Sequence, residues 1–185
     1  AKMTATNGRS ESWQYDAKGN ATEHTDAAGI SQIMTYHAVY NQVATIDEES
    51  ATGTLRRILT NAYFDATGSG GVKGGLATSA DALSNSTSYT YTAQGLVTEI
   101  TSAKGHSTKF DRLGYDVFGN PQVVDHRRFS NGVLTTISSD ASVRDSTGSI
   151  DYVKDYDKNG ILQPSTNFAY DQLNRRLETL SPDPY

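Results

Sequence analysis

The sequence predicts an all-β fold: a curved strip of consecutive antiparallel β-hairpins. Three observations predict it. The 185 residues include 11 Tyr and 16 Gly against 4 Pro, with Thr, Ser, Asp and Asn throughout. Tyr and Thr favour strands, and Gly, Asn and Asp favour tight turns. A short aromatic-Asp-x-x-Gly unit recurs along the chain. Alternation of apolar and polar residues is imperfect and large aliphatics are scarce, which suits a single sheet better than a sandwich with a thick apolar layer between its sheets.

The repeat sets the order of the elements. Tyr15-Asp16-Ala17-Lys18-Gly19-Asn20 returns as Tyr115-Asp116-Val117-Phe118-Gly119-Asn120. Near copies are Tyr156-Asp157-Lys158-Asn159-Gly160 and Tyr170-Asp171-Gln172-Leu173-Asn174-Arg175. Phe64-Asp65-Ala66-Thr67-Gly68 and Phe110-Asp111-Arg112-Leu113-Gly114 use Phe for Tyr, and Tyr36-His37 and Tyr91-Thr92 are degraded copies. A half-unit recurs as Thr25-Asp26-Ala27-Ala28-Gly29 and Thr101-Ser102-Ala103-Lys104-Gly105. Tyr15 to Tyr36 is 21 positions and Tyr91 to Phe110 is 19. A period of roughly 20 residues holds one hairpin and its connection.

Each position in the unit has a physical task. The aromatic ends a strand and offers a ring for packing on the next hairpin. The Asp carboxylate accepts backbone N–H groups at the turn entrance. The Gly takes up positive φ, which residues with a Cβ resist. Outgoing strands are expected over 21–25, 96–101 and 121–125. Asn131-Gly132, between Arg128-Phe129-Ser130 and Val133 to Ile137, is an independent hairpin signal. Residues 66–88, rich in Gly, Ser and Ala, are expected to be a flexible loop insertion with one helical turn near Ala80 to Leu83. The whole of 1–185 is otherwise read as one β region.

Composition excludes several function classes. There are 16 basic and 21 acidic side chains, a net charge of -5, so the chain lacks the basic balance of a nucleic-acid clamp. No run of about 18 apolar residues is present to span a membrane as a helix. Residues 1–10 lack the apolar stretch of a signal peptide. With no Cys, thiolate metal sites, disulfides and cysteine nucleophiles are excluded.

The search for chemistry gives little. His24, His37, His106 and His126 show no ligand spacing and are read as surface histidines, His24 and His106 in strands beside turns. There is no Gly-x-Ser-x-Gly elbow, and Gly68-Ser69-Gly70-Gly71 lacks the context of a phosphate cradle. No catalytic residue and no cofactor are expected. Asp155, Asp157 and Asn159, followed by Gly160, match the opening of a calcium loop. Thr166 stands where a bidentate Glu would be needed, and the repeat itself accounts for Asp157 and Gly160. Trp13, Tyr15, Tyr36, Tyr40, Tyr89 and Tyr91 are read first as a structural ladder and second as a carbohydrate-binding strip. The pairs Arg56-Arg57, Arg127-Arg128 and Arg175-Arg176 are read as solvated.

The six aromatic-Asp copies, the Thr-Asp-Ala-x-Gly half-units and the loose period resemble the YD-repeat, or Rhs-repeat, family from about Trp13 to Leu180, with 66–88 and 126–155 departing from the pattern. That resemblance implies hairpins joined side by side into a strip that coils into a hollow shell. Family members are large secreted or surface proteins: polymorphic toxins, insecticidal toxin complexes, wall-associated proteins and teneurins. Such shells often enclose a toxic C-terminal domain. By resemblance, then, this chain is a piece of shell wall, extracellular or at a cell surface. Its partners would be the rest of the parent shell and its payload. An adhesion module contacting a glycan or cell surface through exposed aromatics is the alternative. The residues expected to build the repeat are Tyr15, Asp16, Gly19, Tyr115, Asp116, Gly119, Tyr156, Asp157, Gly160, Tyr170 and Asp171.

Overall fold

In a computed structural model, residues 2–4, 10–110, 114–117, 119–145, 147–163, 166–171, 173 and 175–180 are described. Strand follows strand, and no helix occurs among the described residues. The first eight strands are β1 (Lys2–Thr4), β2 (Ser10–Tyr15), β3 (Ala21–Thr25), β4 (Ser31–Tyr36), β5 (Val43–Glu49), β6 (Leu55–Tyr63), β7 (Leu76–Asp81) and β8 (Ser86–Tyr91). They are followed by β9 (Val97–Thr101), β10 (Ser107–Lys109), β11 (Val123–Ser130), β12 (Val133–Arg144), β13 (Ile150–Asp157), β14 (Thr166–Tyr170) and β15 (Arg176–Leu180). The strand order in the sheet is the chain order. Most connections are short, about five residues as in 16–20, 26–30 and 50–54, and a loop of that length turns a strand back beside the one before it.

The chain divides into two compact units. Unit 1 is Ala1–Thr67 with Lys73–Ser88, and unit 2 is Gly68–Val72 with Tyr89–Tyr185. The stretch 66–88 differs from expectation. It contains β7 and the start of β8, paired through Thr78–Ser88, Ser79–Thr87 and Ala80–Ser86. The helical turn expected near Ala80 is a hairpin loop, closed by the Asp81 N–H on the Asn85 carbonyl at 3.1 Å. Its small side chains hide the strands in composition, yet β6 supplies a long template at Leu59–Asp81 through Tyr63–Leu76.

Register sorts the side chains of unit 1 onto two faces. Gln14, Glu23, Ile33, Asp47 and Arg57 stand in one cross-strand row, with Ser12, Thr25, Ser31 and Glu49 beside them. Met34, Ile46 and Leu59 occupy the opposite face, as do Trp13 and His24. Polar groups are what this sheet buries best. Among the described residues Val123 is the buried apolar side chain, while Ser31, Asp47, Ser107, Asp125 and Ser139 are also buried. Most of those polar groups have partners, although the Ser107 hydroxyl has no hydrogen-bond partner among the described residues. Thr25 and Ser31 hydroxyls meet at 2.8 Å, Arg57 pairs with Asp47 through two nitrogens, and Ser139 donates to Asp125 at 2.6 Å. In unit 2, Arg127 likewise reaches Glu99 at 3.0 Å. The arginine pairs are therefore not simply solvated: Arg56, Arg57 and Arg127 bond across strands to Glu48, Asp47 and Glu99.

Candidate functional site: the loops and their aromatic rim

One loop recurs, and Asp16 shows its construction. The Asp16 N–H donates to the Asn20 carbonyl at 2.9 Å, and the Gly19 N–H donates to the Asp16 carbonyl at 3.1 Å. Gly19 sits at φ 87°, the left-handed residue that a three-residue hairpin loop needs. The Asp16 carboxylate then accepts the N–H groups of Lys18 at 2.8 Å and Asn20 at 2.9 Å. Amide donors that would otherwise point to water are satisfied inside the loop. These bonds favour the ionised carboxylate. The Asn20 side-chain amide, then the Asn20 backbone N–H, holds Asp16 below its ordinary value.

The same closure appears at the other Tyr-Asp copies, whereas in the Phe64–Gly68 copy Phe64 closes on Gly75 and the Gly68 N–H donates to Gly71. Asp116 closes on Asn120, Asp157 on Ile161 and Asp171 on Arg175. Gly119 and Gly160 have positive φ and donate to the Asp116 and Asp157 carbonyls. The half-units fold identically, Asp26 closing on Ile30 and Ser102 on His106. So do loops that the aromatic-Asp pattern passes over: Ser50 closes on Thr54, Asp81 on Asn85, Asp145 on Ser149. Their signal is weaker but readable in two cases, as Ser50-x-x-Gly53 and Asp145-x-x-Gly148. In Asp81-x-x-Ser84 the left-handed position is Ser84, at φ 64°, so no glycine marks it. Asp111, Arg112, Leu113, Phe118, Gln172 and Asn174, parts of the expected copies, lie outside the described residues.

Successive loops of unit 1 alternate between the two ends of its strands, making two rims. Loops 16–20 and 37–42 share one rim with residues 64–67 and 73–75, and 26–30, 50–54 and 81–85 share the other. Tyrosines end the strands entering the first rim. Pairing of β3 with β4 runs from Thr25–Ser31 to Glu23–Ile33, so Ala21 lies beyond it. The Tyr36 hydroxyl donates to the Ala21 carbonyl at 2.7 Å. Pairing of β5 with β6 runs only as far as Thr45–Thr60. There the Tyr63 hydroxyl donates to the Val43 carbonyl at 2.6 Å, joined by the Asn61 amide at 2.9 Å. Where two hairpins part at this rim, a tyrosine of one fastens to the backbone of the previous one. Asn20 and Asn41 add a reciprocal amide pair at 2.8 and 3.0 Å between neighbouring loops.

His37 occupies the Asp position of its loop. Its N–H donates to the Gln42 carbonyl at 2.7 Å, Asn41 donates back to His37 at 2.9 Å, and Asn41 is left-handed at φ 56°. The ring stacks on Tyr40 at 4.5 Å and meets Tyr63 edge-on at 5.6 Å. In unit 2, His106 closes the 102–106 loop, one residue before β10, and its Nδ1 accepts the Phe129 N–H at 3.0 Å. His24, in β3, stacks on Trp13 at 3.9 Å, and His126 meets Asp140 at 2.8 Å.

The calcium residues are placed as follows. The Asp157 carboxylate accepts the N–H groups of Asn159 at 2.8 Å and Ile161 at 2.9 Å, and the Asp155 carbonyl accepts Gln163 N–H at 2.7 Å. Among the described residues no three His, Asp or Glu side chains gather in a metal-binding group. Of the aromatics named for sugar contact, Tyr15 is 53% exposed; Trp13, Tyr36, Tyr40, Tyr89 and Tyr91 are half-buried.

Hairpins paired in chain order, most of them closed by one loop type, define a β-hairpin repeat protein. Residues 1–31 and 74–108 match the family described as RHS Repeat. No curated protein matches the chain by sequence. Solved structures share its fold. The crystal structure of TcdB2-TccC3 without its hypervariable C-terminal region superposes at a TM-score of 0.57 and 14% identity, over 94% of this chain and 10% of that one. The Photorhabdus luminescens Tc holotoxin pore superposes at 0.52 and 15% identity, again over 94% of this chain and 10% of that one. The chain thus spans about a tenth of the length of the structures it resembles.

Proposed function

We propose that this chain is a structural module, a run of wall in the β-shell of a larger secreted or surface protein that encloses or presents a C-terminal payload. The observation that carries this reading is the way the hairpins are held. A free-standing domain gains most of its stability by burying apolar side chains. Here a single described apolar side chain is buried, and the hairpins depend on ladders, loop closures and side-chain bonds to the next hairpin. Stability of that kind is passed between neighbours, as in other repeat architectures. The role is mechanical and requires no reaction. Its partners are the preceding and following hairpins of the parent, and the Tc toxin likeness favours a location outside the cell. Against the adhesive alternative, the Tyr36 hydroxyl is occupied in fastening hairpins, which leaves Tyr15 as the exposed tyrosine of that rim among those named for it.

Cryo-electron microscopy of the parent chain tests the reading. Further hairpins should pair with β1 and with β15, and the sheet should surround a separate segment. Open edges at both strands in a free-standing domain would overturn it.

A further inference from the structure

Protonation cannot disturb most of the loop caps in the same way that it disturbs one of them. Aspartate caps remain acceptors at any pH above their own titration, and Ser50 and Thr92 hydroxyls do not titrate. At loop 37–42 the cap is an imidazole. The Val39 and Tyr40 N–H groups both point at His37 Nδ1, each at 3.3 Å. Two donors on one ring nitrogen require that nitrogen to be unprotonated, so the ring proton is on Nε2. An imidazolium carries hydrogen on both nitrogens. Its Nδ1–H would face two backbone N–H groups with no acceptor between them.

We propose that His37 is an acid-sensitive clasp: its protonation opens loop 37–42 and releases the links this loop makes to its neighbours. Those links are the Asn20–Asn41 amide pair and the contact of the Tyr40 ring with Gly74, 3.2 Å from where a Cβ would stand. Histidine is the side chain whose charge changes between pH 5 and 8. The groups packed on His37 are Tyr40 from its own loop and Tyr63 from β6. Among the described residues no carboxylate forms an ion pair with His37, in contrast to His24 and His126, which lie beside Glu11 and Asp140. A new cation at His37 therefore loses two bonds and gains no counter-charge. The inference rests on loop geometry alone and stands apart from the wall reading.

Amide hydrogen exchange on the full chain, at pH 7.5 and 5.0 and corrected for intrinsic rates, tests it. Ala28 and Ile30, held by the Asp26 carboxylate at 2.8 and 3.0 Å, are the internal reference. Protection of Val39 and Tyr40 should fall about ten-fold at pH 5.0 while the reference holds, since losing two bonds costs at least about a factor of ten. His37→Asn keeps an acceptor at the δ position that does not titrate and should abolish the fall. Constant protection in the wild type, an equal fall in His37→Asn, or a fall shared by Ala28 and Ile30 would each overturn the proposal.

Discussion

The two rims of unit 1 are built on the same loop and held in different ways. At the rim of Asp26, Ser50 and Asp81 each loop closes on itself, and what approaches Gly29 from the next loop is the Ala51 methyl, at 3.7 Å from a Cβ position. At the rim of Asp16 and His37 the loops are bonded to one another, and tyrosine hydroxyls reach back to Ala21 and Val43. At these loops the turn-forming residues turn the chain, and the tyrosines Tyr36 and Tyr63 that end the strands before them join hairpins. This explains why the half-units keep Asp or Ser and Gly but have Thr in place of the aromatic. At their rim the pairing of β4 with β5 runs to Ser31–Glu49 at the ends of both strands, so no gap there needs bridging.

Substitutions can break this contrast. Gly74→Val should have the largest effect, about 2–3 kcal/mol. It places a branched side chain at φ 79° and against Tyr40, and both left-handed strain and overpacking contribute. Gly19→Val carries the strain alone, with nothing within 4 Å, and should cost about 1–2 kcal/mol. Urea unfolding of the two variants gives the ranking; equal losses would deny the close approach at Gly74.

A finer contrast lies between the two tyrosines. Tyr36→Phe leaves the Ala21 carbonyl without its hydroxyl donor and should cost about 1 kcal/mol. Tyr63→Phe should cost about half that, because Asn61 still donates to Val43. Adding Asn61→Ala to Tyr63→Phe should then cost more than the two changes singly. Strict additivity in this cycle would show that the two donors do not share the carbonyl.

The smallest effect is electrostatic. Loop hydrogen bonds hold Asp16, Asp26, Asp81, Asp145, Asp157 and Asp171 below the ordinary value of 3.8. A lowered folded-state value means that the unfolded chain takes up protons first as pH falls. The contribution is fully present above about pH 4–5 and is lost as pH drops through and below 3.8. Melting temperature should therefore decline below pH 4 from this source. Within unit 1, loosening at pH 5–7 should be confined to the His37 loop.

How much of this the sequence discloses depends on which groups form each bond. The loops are legible because both the acceptor at the first position and the left-handed residue at the fourth are side-chain choices; Gly19 and Asp16 announce themselves. Asp81 to Ser84 is missed because serine takes the left-handed position. The strand β7 and the start of β8 are missed because Ala, Ser and Thr dominate them, and pairing of β7 to β6 and of β8 to β7 decides their structure over composition. The fastening by Tyr36 and Tyr63 is invisible because the acceptors are backbone carbonyls, which every residue has. His37 reads as a degraded copy, whereas imidazole Nδ1 and aspartate Oδ1 occupy equivalent positions one bond beyond Cγ.

The joining role of the aromatic is tested most directly by residue-resolved hydrogen exchange on Tyr36→Phe. Amides of loops 16–20 and 37–42 should lose protection together, while those of 26–30 and 50–54 keep theirs. Equal loss at both rims, or none at either, would contradict it.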